Sequence, residues 1–165
     1  MNFNSREEIE KYGFQGFRTV SELWQDKSSI PKIRGVYLII DPNFEKIEFL
    51  STGVGGFFKG KDPNVSISEL KSNVVPKSHV IHIGKAGSPT GQATLYSRLG
   101  QYLNFGQTKN IGHWGGRYIW QIKRHSDLIF CWKPTPTDDP REIEKQLLSK
   151  YIKDFGKRPF ANLTG

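Results

Sequence analysis

The chain has 165 residues, of which 36% are hydrophobic and 13% aromatic, enough for one domain with a substantial core. No apolar run approaches the roughly 20 residues of a membrane span, and the polar, acidic residues 1–10 do not resemble a secretory or transit peptide. An excess of basic residues gives a net charge of +8, which favours a polyanionic partner. We therefore expect a single cytoplasmic domain over residues 1–165 that does not enter a membrane. The lone cysteine, Cys131, excludes an internal disulfide and a cysteine-based zinc cluster.

The N-terminal part of the chain predicts a helical extension followed by a hairpin. Thr19 as N-cap and Glu22 three residues later form a capping box, and the helix must end before Pro31, so the extension covers about residues 1–32. The β-branched and apolar run 35–40 predicts a strand. The alternating run 46–50 predicts a strand that returns beside it.

The middle of the chain predicts an irregular insertion of about residues 43–79, rich in glycine, proline and lysine, with a short helix over 68–72. A strand over 79–84 follows. Residues 93–104 then predict a helix, because their leucines recur on one side and Gly106 follows the end.

Near the C-terminus, two strand-like runs, 118–123 and 128–133, flank a short polar turn and are expected to pair with each other. The last helix has the clearest limits. Asp139 is its N-cap, Pro140 takes the first helical position, and the helix runs to about Phe155 before Gly156.

Glu144 occupies an unusual position for a charged residue. On a helical projection of the last helix it falls near the middle of the arc formed by the apolar residues. A carboxylate on a buried face needs a partner, a hydrogen bond or a metal. Its neighbour Glu142 points away and is explained by the helix start. On the preceding helix, Arg98 lies one turn from Tyr102, so both side chains could face one cleft, although a solvated surface arginine fits the pattern equally well.

These residues fall into an order that resembles the GIY-YIG nuclease superfamily. Gly35-Val36-Tyr37 and His82-Ile83-Gly84 resemble its two paired strand motifs. Arg98 on a helix, Glu144 on a later helix and Asn162 after a proline follow in the family's order. The resemblance covers about residues 35–162. In this chain His82 stands where the second tyrosine is usual, and residues 38–81 separate the motifs by far more than in compact members.

The resemblance implies an α+β fold, a small central antiparallel sheet flanked by helices, and a metal-dependent endonuclease that hydrolyses DNA. Glu144 would hold one Mg²⁺, for which Mn²⁺ should substitute. Arg98 would bind a non-bridging phosphate oxygen, a task for a planar, permanently charged donor. Tyr37 would help to activate the attacking water, with Lys85 as the cation that lowers the pKa of its phenol.

The remaining site residues have supporting roles in this interpretation. His82 could shuttle a proton if it faces the cleft, or could simply bond to the backbone. Tyr102 is expected to orient groups beside Arg98, and Asn162 to fix the glutamate helix or the rim of the cleft.

Four basic or aromatic-flanked residues are candidates for substrate binding. His113 and Arg117 lie in a glycine- and aromatic-rich segment that could contact phosphates and bases, although its tryptophan could equally be a packing residue. Lys59 and Lys61 of the insertion could follow a DNA backbone or only form a solvated face.

Three functions remain open on the sequence alone. The leading one is a DNA endonuclease, either restriction-like or directed to DNA structure or repair, and homodimerisation is undecided. The second is a catalytically inactive nucleic-acid-binding module with the same fold. The third is a basic α+β protein, such as a partner-binding subunit, in which Tyr37, Arg98 and Glu144 do not converge.

Overall fold

A four-stranded antiparallel sheet forms the centre of the fold in the computed structural model, which describes residues 1–163. The last two residues of the expected 1–165 domain lie outside the described residues. In chain order the strands are β1 Gln15–Thr19, β2 Gly35–Ile40, β3 Val80–Ala86 and β4 Ile129–Pro134. Their spatial order is β1-β4-β2-β3. Helices flank the sheet, so the predicted α+β class is confirmed.

Five α-helices among residues 1–163 surround this sheet, and their limits follow the capping residues. They are α1 Arg6–Lys11, α2 Val20–Gln25, α3 Ile67–Asn73, α4 Leu95–Phe105 and α5 Pro140–Phe155. The predicted capping box at Thr19 is present, with Glu22 N donating to Thr19 Oγ1 and Thr19 N donating to the Glu22 carboxylate. Helix α5 begins after Asp139 as predicted and ends at Gly156, whose φ of +81° suits glycine. No helix of residues 1–163 is both long enough and apolar enough to cross a membrane.

The predicted hairpin is wrong. Lys46 belongs to a 3₁₀ turn, Phe44–Lys46, and Phe49 makes only an isolated bridge to Ile122. Strand β2 instead pairs with β3 and β4, which are distant in sequence. The alternating apolar residues of the run 46–50 pack against the core from a loop. Alternation of apolar and polar residues therefore does not indicate a strand here.

The predicted pairing of 118–123 with 128–133 is also wrong. Residues Trp114–Gln121 form a 3₁₀ segment, and β4 pairs with β1 and β2. The apolar residues of this segment are buried although the segment is not part of the sheet. The Gln121 side-chain amide donates hydrogen bonds to the backbone carbonyls of Leu50 and Val65. The predicted helical extension over about residues 1–32 is wrong in part, because β1 lies between its two helices and pairs with β4. Strand β1 was missed because it is short and polar, with Gly16 inside it.

The insertion between β2 and β3 is irregular but packed. It contains the 3₁₀ turns Phe44–Lys46 and Phe58–Gly60 and the helix α3, which confirms the short helix predicted at 68–72. Leu70 and Val75 bury their side chains completely or nearly so. The insertion therefore contributes to the core.

The sheet has a hydrophobic cluster on each face. On one face, Leu99 and Tyr102 of α4 pack with Tyr37 of β2. On the other face, Leu147 and Tyr151 of α5 pack with strand residues that include Ile83. Both helices contact β3, which is an edge strand, so the region beside this strand is where side chains of α4 and α5 can meet.

Candidate functional site

A cleft of about 590 Å³ lies beside β3, between α4 and α5. Its volume is within the range of about 300–1,000 Å³ that is usual for ligand sites. Seven of the predicted site residues line it: Tyr37, His82, Lys85, Arg98, His113, Glu144 and Asn162. The structure thus brings together residues from two strands, two helices, the 113–121 region and the segment after α5.

The first and second motifs meet where Tyr37 of β2 lies opposite Gly84 of β3. A Cβ at position 84 would overlap the Tyr37 ring, so the glycine leaves the space that the phenol occupies. Gly35, two residues earlier on β2, similarly allows the backbone of Lys133 to approach closely. Both glycines are therefore explained by close packing next to the cleft.

Tyr37 is 2% exposed, and burial raises the pKa of its phenol well above the usual value. The positive charge of Arg98 beside the phenol acts in the opposite direction, whereas Glu144 raises the pKa further. Lys85 is not among the causes of this shift. The expectation that Lys85 lowers the Tyr37 pKa is wrong, because the adjacent cation is Arg98 and burial outweighs it. Tyr37 is consequently a neutral phenol at neutral pH.

His82 is 8% exposed, and its ring stacks on Tyr37 with centroids 5.7 Å apart. Burial lowers its pKa to about 4; the backbone hydrogen bond opposes this shift and the charge of Arg98 adds to it. His82 Nδ1 lies 3.1 Å from the carbonyl oxygen of Ala161, which can only accept, so Nδ1 carries the proton. The neutral ring then has its lone pair on Nε2. The histidine therefore both bonds to the backbone and lines the cleft.

Arg98 projects from α4 into the cleft and is half-buried. Among residues 1–163 it forms no ion pair with a carboxylate. Its planar group of donors is therefore available to an anion that enters the cleft.

Glu144 projects from α5 and is half-buried. Burial raises the pKa of its carboxyl, while the positive charges of Lys85, Arg141 and Arg98 act against that rise. Within the described part of the chain, no ion pair or hydrogen bond engages this carboxylate. The partner that its position in the helix requires is thus not supplied by the protein around it.

Asn162 fastens the exposed edge of β3. Its Oδ1 accepts from Ile83 N at 2.9 Å, and its Nδ2 donates to Ile83 O at 2.7 Å. One residue earlier, Ala161 N donates to Ile81 O at 2.8 Å. The side-chain amide thereby replaces the peptide group of a neighbouring strand. Asn162 positions the strand that carries His82 and Lys85.

Tyr102 lies behind the cleft wall and does not line it. It is fully buried, and its hydroxyl donates to Gly116 O at 3.1 Å. Its ring packs edge-on against Tyr37 and His82, and the His113 centroid is 3.9 Å away. His113 lines the cleft, is 3% exposed, and has a buried Nδ1 without a hydrogen-bond partner in residues 1–163; burial lowers its pKa well below the usual value.

Three predicted binding residues lie elsewhere. Lys59 and Lys61 are exposed and outside the cleft; Lys59 has a φ of +52° and its backbone N–H donates to Asn110. Arg117 lines a neighbouring pocket that shares Asn162 and Leu163 with the cleft.

The loop between β3 and α4 also lines the cleft and was missed by sequence reasoning. Ser88 and Gln92 belong to it. Their nearness to the end of the second motif was the available signal, but such polar loop residues have no distinctive pattern.

The donor set suits a loosely held hard cation. Residues 1–163 contain no group of three or more His, Cys, Asp or Glu side chains arranged to hold a metal ion. Mg²⁺ commonly takes only one or two carboxylates and completes its shell with water and substrate phosphate. The unpaired, half-buried Glu144 fits that mode, whereas a closed zinc site would need more protein ligands.

Comparisons of the chain with family models, with curated proteins and with solved structures find no match. The class that the geometry itself defines is an α+β protein with a polar cleft beside an edge strand. The cleft contains an unpaired arginine, an unpaired carboxylate and a neutral tyrosine–histidine pair. Its function has to be argued from these groups.

Proposed function

We propose that this chain is a metal-dependent endonuclease of the GIY-YIG type that hydrolyses phosphodiester bonds of DNA. The observation that carries the proposal is that Tyr37, Arg98 and Glu144, far apart in sequence, line one cleft. Arg98 and Glu144 have no mutual ion pair there, so an anion and a cation can bind between them. The net charge of +8 suits a polyanionic substrate.

Glu144 is the residue that would hold Mg²⁺, with Mn²⁺ as a substitute. The bound cation would supply Lewis-acid polarisation of the phosphate and stabilisation of charge on the leaving oxygen. The contribution of the protein is a carboxylate that is kept partly out of water and free of other partners. A bound cation stabilises such a partly desolvated carboxylate more than it stabilises a fully solvated one.

Arg98 would hold a non-bridging oxygen of the scissile phosphate. Its guanidinium already lies beside the Tyr37 hydroxyl, so one phosphate oxygen in the cleft could accept from both groups. Lys85, near the end of β3 and close enough to affect Glu144, adds a second positive charge to the lining of the cleft. Arg98 and Lys85 would both stabilise the negative charge that develops on the phosphate oxygens during hydrolysis.

His82 is the better candidate to accept a proton from the attacking water, because its ring is neutral and its Nε2 carries the lone pair. A new P–O bond would form to the water oxygen while one water proton passed to Nε2. The P–O bond to the sugar oxygen would break, and that leaving oxygen would take a proton from solvent. Tyr37, as a neutral phenol, would donate a hydrogen bond that orients the phosphate or the water. The phosphate would also offset the Arg98 charge that depresses the pKa of His82.

An inactive nucleic-acid-binding module is the second candidate. The observation that favours it is the buried, neutral Tyr37, which cannot serve as a base at neutral pH without a large change in its surroundings. A chain that had lost hydrolysis could keep Arg98 and its basic surface for binding alone. The two candidates differ in whether DNA is cut when a divalent metal is present and in whether that cutting requires Glu144.

Incubation with supercoiled, linear and branched DNA in Mg²⁺, Mn²⁺ or EDTA tests the proposal. The nuclease proposal expects metal-dependent cutting that Glu144→Ala abolishes without loss of the folded state. Salt-sensitive DNA binding without cutting in either metal would instead support the inactive module. Because one small site cuts one strand at a time, the first product from a supercoiled plasmid should be nicked circles unless the protein pairs.

A further inference from the structure

A second pocket of about 650 Å³ adjoins the cleft. The two cavities share Asn162 and Leu163 as a common wall. The second pocket is bounded by α3, by the 3₁₀ segment Trp114–Gln121 and by the turn after α5. A strand of DNA held in the cleft could therefore continue into this pocket.

The charge of this pocket is mainly positive. It is lined by Arg117, Lys157 and Arg158, and none of the three forms an ion pair within residues 1–163. Glu69 is the carboxylate in its wall, and that group already accepts a hydrogen bond from Tyr118 Oη at 2.9 Å. The pocket consequently has a surplus of positive charge that protein carboxylates do not neutralise.

Arg117 is held in place by aromatic rings. Its guanidinium carbon lies 4.7 Å from the centroid of Trp114 and 5.3 Å from that of Tyr118. Nη1 donates to Trp114 O at 3.3 Å, while the buried Nε has no acceptor in the described part of the chain. Stacking fixes the plane of the guanidinium and leaves donors for a ligand, which is a suitable arrangement for binding phosphate.

We propose that this pocket binds a second backbone phosphate of the DNA strand whose neighbouring phosphate lies in the cleft. This inference rests on the proposed nuclease function, since it places the same strand in both cavities. Arg117 supplies the fixed donors, and Lys157, whose Nζ also donates to Ser72 O at 3.2 Å, and Arg158 supply exposed positive charge. The pocket thereby holds the strand in register with Arg98 without reading base sequence.

The experiment measures DNA binding in EDTA as a function of salt, so that binding is separated from cutting. The test variant is Lys157→Gln with Arg158→Gln, both at exposed positions. The matched control is Lys46→Gln with Lys153→Gln, which removes the same charge from exposed positions outside both cavities. The slope of log Kd against log salt falls by about 1 per lost phosphate contact, so the test variant, which weakens the contact to one phosphate, should lower the slope by up to about 1. The control should keep the wild-type slope.

A single variant, Arg117→Gln, should lower the slope by about 1. Equal slopes for the test variant and the control would overturn the second phosphate site, whether or not the wild type cuts DNA. A lowered slope in a protein that never cuts would support the site and contradict the nuclease function. An absence of wild-type DNA binding would overturn both.

Discussion

Tyr37 and Gly84 face each other across the β2–β3 ladder, with the phenol ring occupying the space that a side chain at position 84 would need. The same ring stacks on His82 and lies beside the guanidinium of Arg98. The position of one glycine therefore controls the arrangement of three cleft side chains.

Gly84→Ala should displace the Tyr37 ring and disturb the cleft. We expect the cleavage rate to fall by about 10²-fold, since a shift of about 1 Å at a reacting centre has that effect. Overpacking should also lower the free energy of unfolding by about 1–3 kcal/mol. Cleavage assays and urea unfolding measure the two effects.

Gly100→Ala is the matched control, because a Cβ at this position of α4 meets no atom within 4 Å. It should keep the cleavage rate and raise the free energy of unfolding by about 0.5–1 kcal/mol. Equal activity in Gly84→Ala and Gly100→Ala would show that the Tyr37 position is not important for cleavage.

Arg98→Lys should leave the fold intact and lower kcat by about 10²–10³-fold, because an ammonium cannot reproduce the planar donor group toward a phosphate oxygen. Single-turnover cleavage in Mg²⁺ measures this effect. Arg18→Lys on the opposite edge strand, β1, is an exposed control and should cut normally. A fully active Arg98→Lys protein would remove Arg98 from the proposed chemistry.

His82 should make stability depend on pH between about 4 and 6.5. Burial lowers its folded-state pKa to about 4, so in this range the unfolded chain binds more protons and the free energy of unfolding rises with pH. As the pH falls from about 6.5 to about 4, protonation of His82 should lower the free energy of unfolding by on the order of 3 kcal/mol. His113, also shifted downward by burial, adds in the same direction.

Urea unfolding in EDTA across that range compares the wild type with His82→Gln. The variant should show a shallower pH dependence, and in what remains the lowered pKa of His113 and the raised pKa of the Glu144 carboxyl act in opposite directions. Identical slopes in the two proteins would mean that His82 is not held neutral by burial.

Asn162→Ala should loosen the edge of β3. The substitution removes both hydrogen bonds from the Asn162 side chain to Ile83, so the backbone N–H and C=O of Ile83 lose this partner. We expect a loss of about 1–3 kcal/mol in the free energy of unfolding. Hydrogen exchange should show faster exchange of the Ile83 amide, whereas unchanged protection there would contradict the strand-fastening role.

Helix limits were predictable because capping is a local signal. Thr19 with Glu22, and Asp139 with Pro140, define the starts of α2 and α5 from residues that are adjacent in sequence. Strand pairing was not predictable in the same way. Loop residues 46–50 and the 3₁₀ segment 114–121 bury apolar side chains with strand-like spacing, while β1 has no such spacing.

The central residues of the candidate site were predictable from the sequence, but its electrostatics and its loop residues were not. The order of Tyr37, Arg98 and Glu144 is a sequence property, and the structure places all three at one cleft. The protonation of Tyr37 depends on how deeply tertiary packing buries it, which no local pattern reports. Lys157 and Arg158 were missed because only the turn after α5 carries them to the second pocket.

The most direct test of the central claim compares Glu144→Gln with Glu142→Gln in Mg²⁺-dependent cleavage of a supercoiled plasmid. Both variants remove one carboxylate from α5, but Glu142 is exposed and pairs with Lys145, whereas Glu144 lines the cleft. Glu144→Gln should abolish cutting and unfold at a temperature no lower than the wild type, since burial already disfavours its charge. Glu142→Gln should cut at the wild-type rate. Cleavage by a folded Glu144→Gln protein at the rate of Glu142→Gln would contradict the account.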